Sequence, residues 1–235
     1  MTTNGSGVSS RSQTRTALVE VAARLLHEQG VAAVTTRAVA QAAGVQAPTI
    51  YRLFEDKDGL LEAVAQHALA AYVAGKEFTE DGGDPVAGLR SGWDTHVGFG
   101  LANPALFGLL IDPSRVSGSR AAAAGLDILT TRVHRVAAAG RLRVPERRAV
   151  RLLQAAGTGA VLTVLSMPPE DRGLDLTDAM YETVTHAILT DQPPWNGAST
   201  TAAAVTFRTV VPELSALSPI ERALLTEWLD RAADS

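Results

Sequence analysis

The chain contains no cysteine, which excludes disulfides, thiolate metal sites and cysteine nucleophiles and fits a reducing compartment. Aromatic residues make up only 5% of it, too few for a broad stacking surface against flat multi-ring compounds. There is no internal repeat and no stretch that reads as a strand pair. The N-terminus lacks the positive-then-apolar pattern of a secretion signal. The longest nearly apolar stretch, Ala155 to Leu165, falls short of the ~20 residues of a membrane span. The expectation is a soluble, cytoplasmic protein with no membrane partner. The histidines, at 27, 67, 96, 134 and 186, show no short ligand spacing, so no metal is expected. No G-x-S-x-G elbow or other catalytic motif occurs. Gly157-Thr158-Gly159 lies inside a helical pattern, without a third glycine or a preceding strand, and is not a phosphate loop. Neither a cofactor nor an enzymatic activity is expected.

What is present is length and an uneven charge. A chain of 235 residues can bury a sizeable core, and two unequal domains suit it. The net charge of −4 argues against indiscriminate coating of nucleic acid, which relies on neutralising many phosphates. Through residue 60, six basic residues (Arg11, Arg15, Arg24, Arg37, Arg52, Lys57) stand against five acidic ones (Glu20, Glu28, Glu55, Asp56, Asp58). That gives +1 and leaves −5 for the remainder. A slightly basic head on an acidic body suits a reader of one specific site.

Residues 1–10 are small, polar and glycine-containing, and read as a disordered arm. From about Thr14, Leu18, Val21, Ala22, Leu25 and Leu26 recur at helical spacing until Gly30. Thr35 and Thr36 offer hydroxyls to the free N–H groups that open a second helix, along which Val39, Ala40 and Ala43 share a face. Gly44 can take the left-handed conformation that closes it. Pro48 suits the first turn of a third helix, whose Ile50 and Phe54 share a buried face and leave Gln46, Ala47, Thr49 and Arg52 for another surface. Two short helices joined by a tight glycine turn form a helix-turn-helix, whose second helix can enter a DNA major groove. Asp56 then caps a long fourth helix carrying Leu60, Leu61, Val64 and Leu69 on toward Phe78.

The run TTRAVAQAAGVQAPTIYRLFEDKDGLL resembles the DNA-binding signature of the TetR family of bacterial transcriptional regulators. Gly44, Tyr51, Phe54 and Lys57, in that order and spacing, carry the likeness. Leu53 departs from it, since the family usually has His or Tyr there. The resemblance implies an all-α fold: a small N-terminal helix-turn-helix domain of three helices (residues 11–60), joined by a long linking helix to a larger helical domain for ligand binding and dimerisation (61–191). Residues 192–235 form a helical extension. It also implies DNA contacts from Thr36, Arg37, Gln46, Ala47, Pro48, Thr49, Tyr51, Arg52 and Lys57. Arg37 is expected at a guanine edge, and Thr36, Tyr51 and Lys57 at phosphates. The implied protein is a homodimeric repressor, released from a palindromic double-stranded operator by a small-molecule effector. An activator or ligand-dependent co-repressor of the same fold is the first alternative, and a carrier or enzyme with an idle head the second.

In the body, Trp93, His96, Phe99, Phe107, Leu110, His134 and Met167 are candidates to line an apolar effector cavity with a few polar handles. An ordinary helical core with satisfied histidines is the plainer reading. Ala155, Ala156, Gly159 and Ala160 permit close helix approach. They are candidates for the centre of a dimer interface, which the resemblance places on the two helices between Glu146 and Thr190. Composition marks Asp112 to Ser119 as a loop and Asp191 to Ala198 as a linker. Beyond it, Thr200 to Leu214 and Pro219 to Ala232 read as helices.

Overall fold

The computed structural model describes residues 5–74, 83–190 and 200–234. Every regular element among them is helical, and one isolated β-bridge joins Leu142 to Leu189. Two compact units result. One comprises Met1–Glu77 with Ala102–Gly125, and the other Phe78–Leu101 with Leu126–Ser235.

The first unit opens with α1 (Gly5–Gln29), followed by α2 (Thr36–Ala42), α3 (Ala47–Phe54) and α4 (Lys57–Ala74). Helix α1 begins well before Thr14, so residues 5–10 are helical rather than an arm; residues 1–4 lie outside the described part. That stretch has no proline, and extending an existing helix is far easier than nucleating one. Leu18, Ala22 and Leu26 of α1 pack inward with Val34, Val39, Ile50, Leu60, Leu61 and Val64, each at most 3% exposed. Thr35 caps α2, its Oγ1 accepting the Ala38 N–H at 3.1 Å. At the other end Gly44 has φ +68°, and Val45 N–H closes the turn on the Ala40 carbonyl at 2.9 Å.

Between α3 and α4 the chain reverses through Glu55, at φ 69° and ψ −56°, and the Asp56 N–H donates to the Phe54 carbonyl at 2.8 Å. This is a γ-turn of the strained, positive-φ kind. Asp56 Oδ1 then accepts the Gly59 N–H at 2.8 Å and holds the first turn of α4. The unit is completed by α6 (Pro104–Ile111), which packs on α1 and α4, and the short α7 (Pro113–Val116). That short helix falls where a loop was expected. Asp112 accepts from the Ser114 N–H at 2.9 Å and starts a turn that Pro113 favours.

The second unit holds most of α5 (Pro85–Ala102), the later part of α8 (Arg120–Ala138), α9 (Glu146–Ser166), α10 (Asp175–Ile188), α11 (Thr200–Val210) and α12 (Pro219–Ala233). Helices α9 and α10 pack as an antiparallel hairpin, with Arg143 N–H on the Ile188 carbonyl at 2.9 Å and Thr190 N–H on the Arg141 carbonyl at 3.0 Å. The Arg141 and Arg143 side chains also donate to the carbonyls of Thr190 and Leu189, which end α10. Helix α9 is long and apolar enough to cross a membrane, and 39% of its apolar window is buried, in part along α10. Helices α11 and α12 form a second hairpin. Its return helix starts with a capping box between Ser218 and Glu221, and Arg208 ties it to Glu146 of α9 and Asp230 of α12. The linker expected at Asp191 to Ala198 lies outside the described residues.

Two substitutions test the backbone of the first unit. Gly44→Ala meets no neighbouring atom and carries only the left-handed backbone penalty, so it lowers unfolding free energy by about 1–2 kcal/mol. Glu55→Gly relieves the same kind of strain and raises it by up to about 1 kcal/mol. Urea titrations of both against the parent protein measure the two signs.

Candidate nucleic-acid interface and polar cluster of the body

On α3 the inward residues are Ile50, at 0% exposed, and Phe54, at 5%. The Arg15 guanidinium lies 5.2 Å from the centre of the Phe54 ring and ties α1 to the end of α3. Opposite this face, Arg37, Gln46, Pro48, Tyr51 and Arg52 are exposed, and Thr36, Ala47, Thr49 and Lys57 are half-buried. Leu53 is also half-buried. Thr36 Oγ1 and Tyr51 Oη stand 3.3 Å apart, so the start of α2 and the middle of α3 present two hydroxyls together.

The Gln46 side chain makes no capping bond to α3, which leaves its amide free. Arg37 and Arg52 form no ion pair among the described residues. This surface can therefore offer a guanidinium, an amide and hydroxyls at the N-terminal end of an exposed helix, the set that reads base edges and phosphates.

In the second unit, Trp93 and His96 of α5 meet Tyr181 of α10 and Gly157 of α9. The Trp93 and Tyr181 rings lie 5.4 Å apart at 58°. A Cβ on Gly157 would come within 3.1 Å of the His96 ring and 3.4 Å of Trp93, so glycine allows α5 to approach α9 closely here. Burial lowers the His96 pKa, with a backbone bond to Gly157 partly offsetting it. Burial pushes the Tyr181 hydroxyl up to about 12, so it is a neutral donor at ordinary pH. Arg90 lies 4.8 Å from the centre of the Tyr181 ring, and is itself paired with Asp94 and Asp178, the latter bond raising its pKa most. The Trp93 indole N–H and the Tyr181 hydroxyl are buried with no hydrogen-bond partner among the described residues.

The other body candidates are dispersed. Phe99 is buried on α5, whereas Phe107, buried, and Leu110, half-buried, belong to the first unit. The His134 side chain is 50% exposed and its Nδ1 lies 3.2 Å from Glu146 Oε2, within hydrogen-bond reach, so a surface position and not a cavity wall describes it. Met167 is half-buried where α9 ends. Tyr181 was not among the sequence candidates, because with Thr177, Val184 and Ile188 it completes an ordinary core stripe on α10.

Along α9, Ala155 and Gly159 are exposed and Ala156 is half-buried, in an outward stripe with Leu152 and Leu162 at 38% and 45% exposure. Ala160 differs. It is 2% exposed and packs within its own chain, because its position falls on the inward side with Gly157, Val161 and Val164. Among the described residues no group of His, Cys, Asp and Glu is placed to hold a metal ion.

Residues 18–64 match the family described as bacterial regulatory proteins, tetR family. The chain is 38% identical over 58 residues to the class D tetracycline repressor protein of Escherichia coli. That match covers 25% of this chain and spans only about a quarter (27%) of the repressor's length. Among solved structures, NalD, the secondary repressor of the MexAB-OprM multidrug efflux pump in Pseudomonas aeruginosa, aligns with a TM-score of 0.58 at 21% identity. The alignment covers 77% of this chain and 98% of NalD. A TetR-family transcriptional regulator from Haemophilus influenzae aligns with a TM-score of 0.55 at 20% identity, over 77% of this chain and 99% of that one. At these identities the structures establish a shared fold. Residues 18–64 are thus similar to the tetR family of bacterial regulatory proteins, and the chain shares its helical fold with these solved structures.

Proposed function

We propose that this protein is a cytoplasmic, homodimeric, sequence-specific DNA-binding regulator, a repressor released from a palindromic operator by a small molecule. The observation that carries the reading is the outward face of the α2–α3 pair. Its Arg37, Gln46 and Arg52 are exposed without side-chain partners among the described residues, while Ile50 and Phe54 hold the same elements in the core. Gln46, Ala47, Pro48 and Thr49 take the base-edge positions at the start of α3, with Ala47 and Pro48 limited to apolar contact such as a thymine methyl. Arg37 reads a guanine, Thr36, Tyr51 and Lys57 hold phosphates, and Arg52 reaches either. Repression follows the character of the named relatives, the tetracycline and NalD repressors.

Ala155, Ala156 and Gly159, with Leu162, give α9 an outward stripe that a second copy covers about a two-fold axis. Two recognition helices then read half-sites about one helical turn apart. The effector binds in the second unit at Trp93, His96 and Tyr181, where its acceptor groups meet the unpartnered indole N–H and phenol. A coupling of ~1–3 kcal/mol between effector and operator changes DNA affinity ~5–150-fold.

Fluorescence anisotropy of the purified protein on the DNA upstream of its own gene, with random DNA as competitor, tests the DNA reading. Competitor-resistant binding at two subunits per site is expected. Failure to select any sequence from a random library, with or without candidate effectors, defeats it.

In that assay Arg37→Ala loses ~1–3 kcal/mol on the operator and little on random DNA. Lys57→Ala weakens both alike and flattens the salt dependence. Equal loss on both DNAs for Arg37→Ala removes its base-reading role. In the body, Tyr181→Phe deletes a buried hydroxyl without a partner, so it leaves stability unchanged or raises it by up to about 1–3 kcal/mol, and it blunts effector release. A thermal melt showing marked destabilisation would contradict the unpartnered state of that hydroxyl.

A further inference from the structure

In a chain of net charge −4, the stretch from Arg132 to Arg151 carries seven arginines and a single carboxylate, Glu146. Most of these charges are engaged. Arg132 donates to the Gly88 carbonyl, and Arg141 and Arg143 to the carbonyls ending α10. Glu146 is taken by His134 and Arg208. Arg135 sits in the last turn of α8, where a cation suits the helix dipole.

Arg147, Arg148 and Arg151 are different. All three are exposed, and none has a hydrogen bond or ion pair from its side chain among the described residues. With Pro145, Leu152 and Asp234 they line one recess of about 330 Å³, bounded by the start of α9 and the end of α12.

Local rules disfavour this placement twice. Cations in the opening turns of a helix face the positive end of its dipole. Residues 147 and 151 are four apart and 148 and 151 three apart, so like charges are neighbours on one face. Asp234 supplies one carboxylate against three guanidinium groups and leaves the recess at +2. A local conflict with no compensation among the described residues is what a functional site looks like, because the compensating group arrives from outside. The recess also has the size of a small-molecule site, at the lower end of the usual ~300–1,000 Å³. Its wall is not wholly polar, since Pro145 and Leu152 complete it.

We propose that this recess binds a small organic anion, a molecule bearing a phosphate or carboxylate. Arg147, Arg148 and Arg151 hold the charged group through their planar donor forks, and the body of the molecule lies against Pro145 and Leu152. The site is separate from the Trp93–Tyr181 cluster and does not depend on the effector reading. Because Asp234 of α12 shares the recess with α9, occupancy fixes the end of the C-terminal hairpin against the start of α9.

Isothermal titration of the full chain at low ionic strength, with pyrophosphate and separately with hexanoate, tests the proposal. The test variant is Arg148→Gln/Arg151→Gln, and Arg120→Gln/Arg135→Gln removes the same charge from α8 as a control. At least one probe is expected to bind the parent protein, to lose about tenfold or more in affinity on the test variant, and to change less than about twofold on the control. Which probe binds identifies the head group. Without anion, the test variant melts at or above the parent temperature, because the unpaired repulsion is gone; saturating anion reverses that order. Equal affinity for parent and test variant, or no heat from either probe at millimolar concentration, overturns the proposal. So does a test variant that melts lower without anion and loses subunit association in sedimentation, since the arginines would then serve a contact between copies.

Discussion

Burial of Ile50 and Phe54 is the constraint on which the outward chemistry of the first unit depends. Both lie on the inner face of an eight-residue helix too short to be stable alone in water. Each buried side chain of this size contributes about 1.5–3 kcal/mol, so these two contacts supply much of what keeps α3 helical. They also fix its rotation. With Ile50 and Phe54 held inside, Gln46, Tyr51 and Arg52 have no choice but to face out, and Thr36 comes within 3.3 Å of Tyr51. The strained turn at Glu55 serves the same end by starting α4 immediately after α3.

The second unit follows another logic. Its α5 packs against α9 tightly enough that Gly157 cannot gain a methyl group without pressing on His96 and Trp93. Yet within this packing an indole N–H and a phenol are buried without partners among the described residues, each a cost of about 1–3 kcal/mol if nothing satisfies it. Near the start of α9, three arginines stand unpaired among the described residues around an open recess. In both places stability is given up locally, once through desolvation and once through repulsion, and in both an external group can restore it. The head, by contrast, is locally consistent: caps, glycine turn and apolar faces all favour the same structure.

That consistency is why the head could be read from the sequence nearly residue by residue. Thr35 as a cap, Gly44 as a left-handed stop and Pro48 in a first turn each act within a few residues, so their consequences need no knowledge of the rest of the chain. Helices of the body were legible for the same reason, down to the start of α9 at Glu146 and the bounds of α12 to within a residue. Where the expectation differed, a nonlocal or cooperative effect intervened. Helix α1 extended back through a polar segment, and Asp112 with Pro113 began a short helix inside a stretch that composition marks as loop.

The sequence by itself determined the all-α architecture and the helix-turn-helix, because periodicity, capping and a compact motif are local properties of the chain. Only the tertiary structure decided which polar groups share a site. It gathered Trp93, His96 and Tyr181, separated by 88 residues along the chain at the extremes, while assigning Phe107 and Leu110 to the other unit and leaving His134 hydrogen-bonded to Glu146. It also turned Ala160 inward beside outward-facing Gly159, and joined Arg148 and Asp234 in one recess. Such proximities depend on how helices pack across long loops, and nothing in the spacing of residues along one helix encodes them.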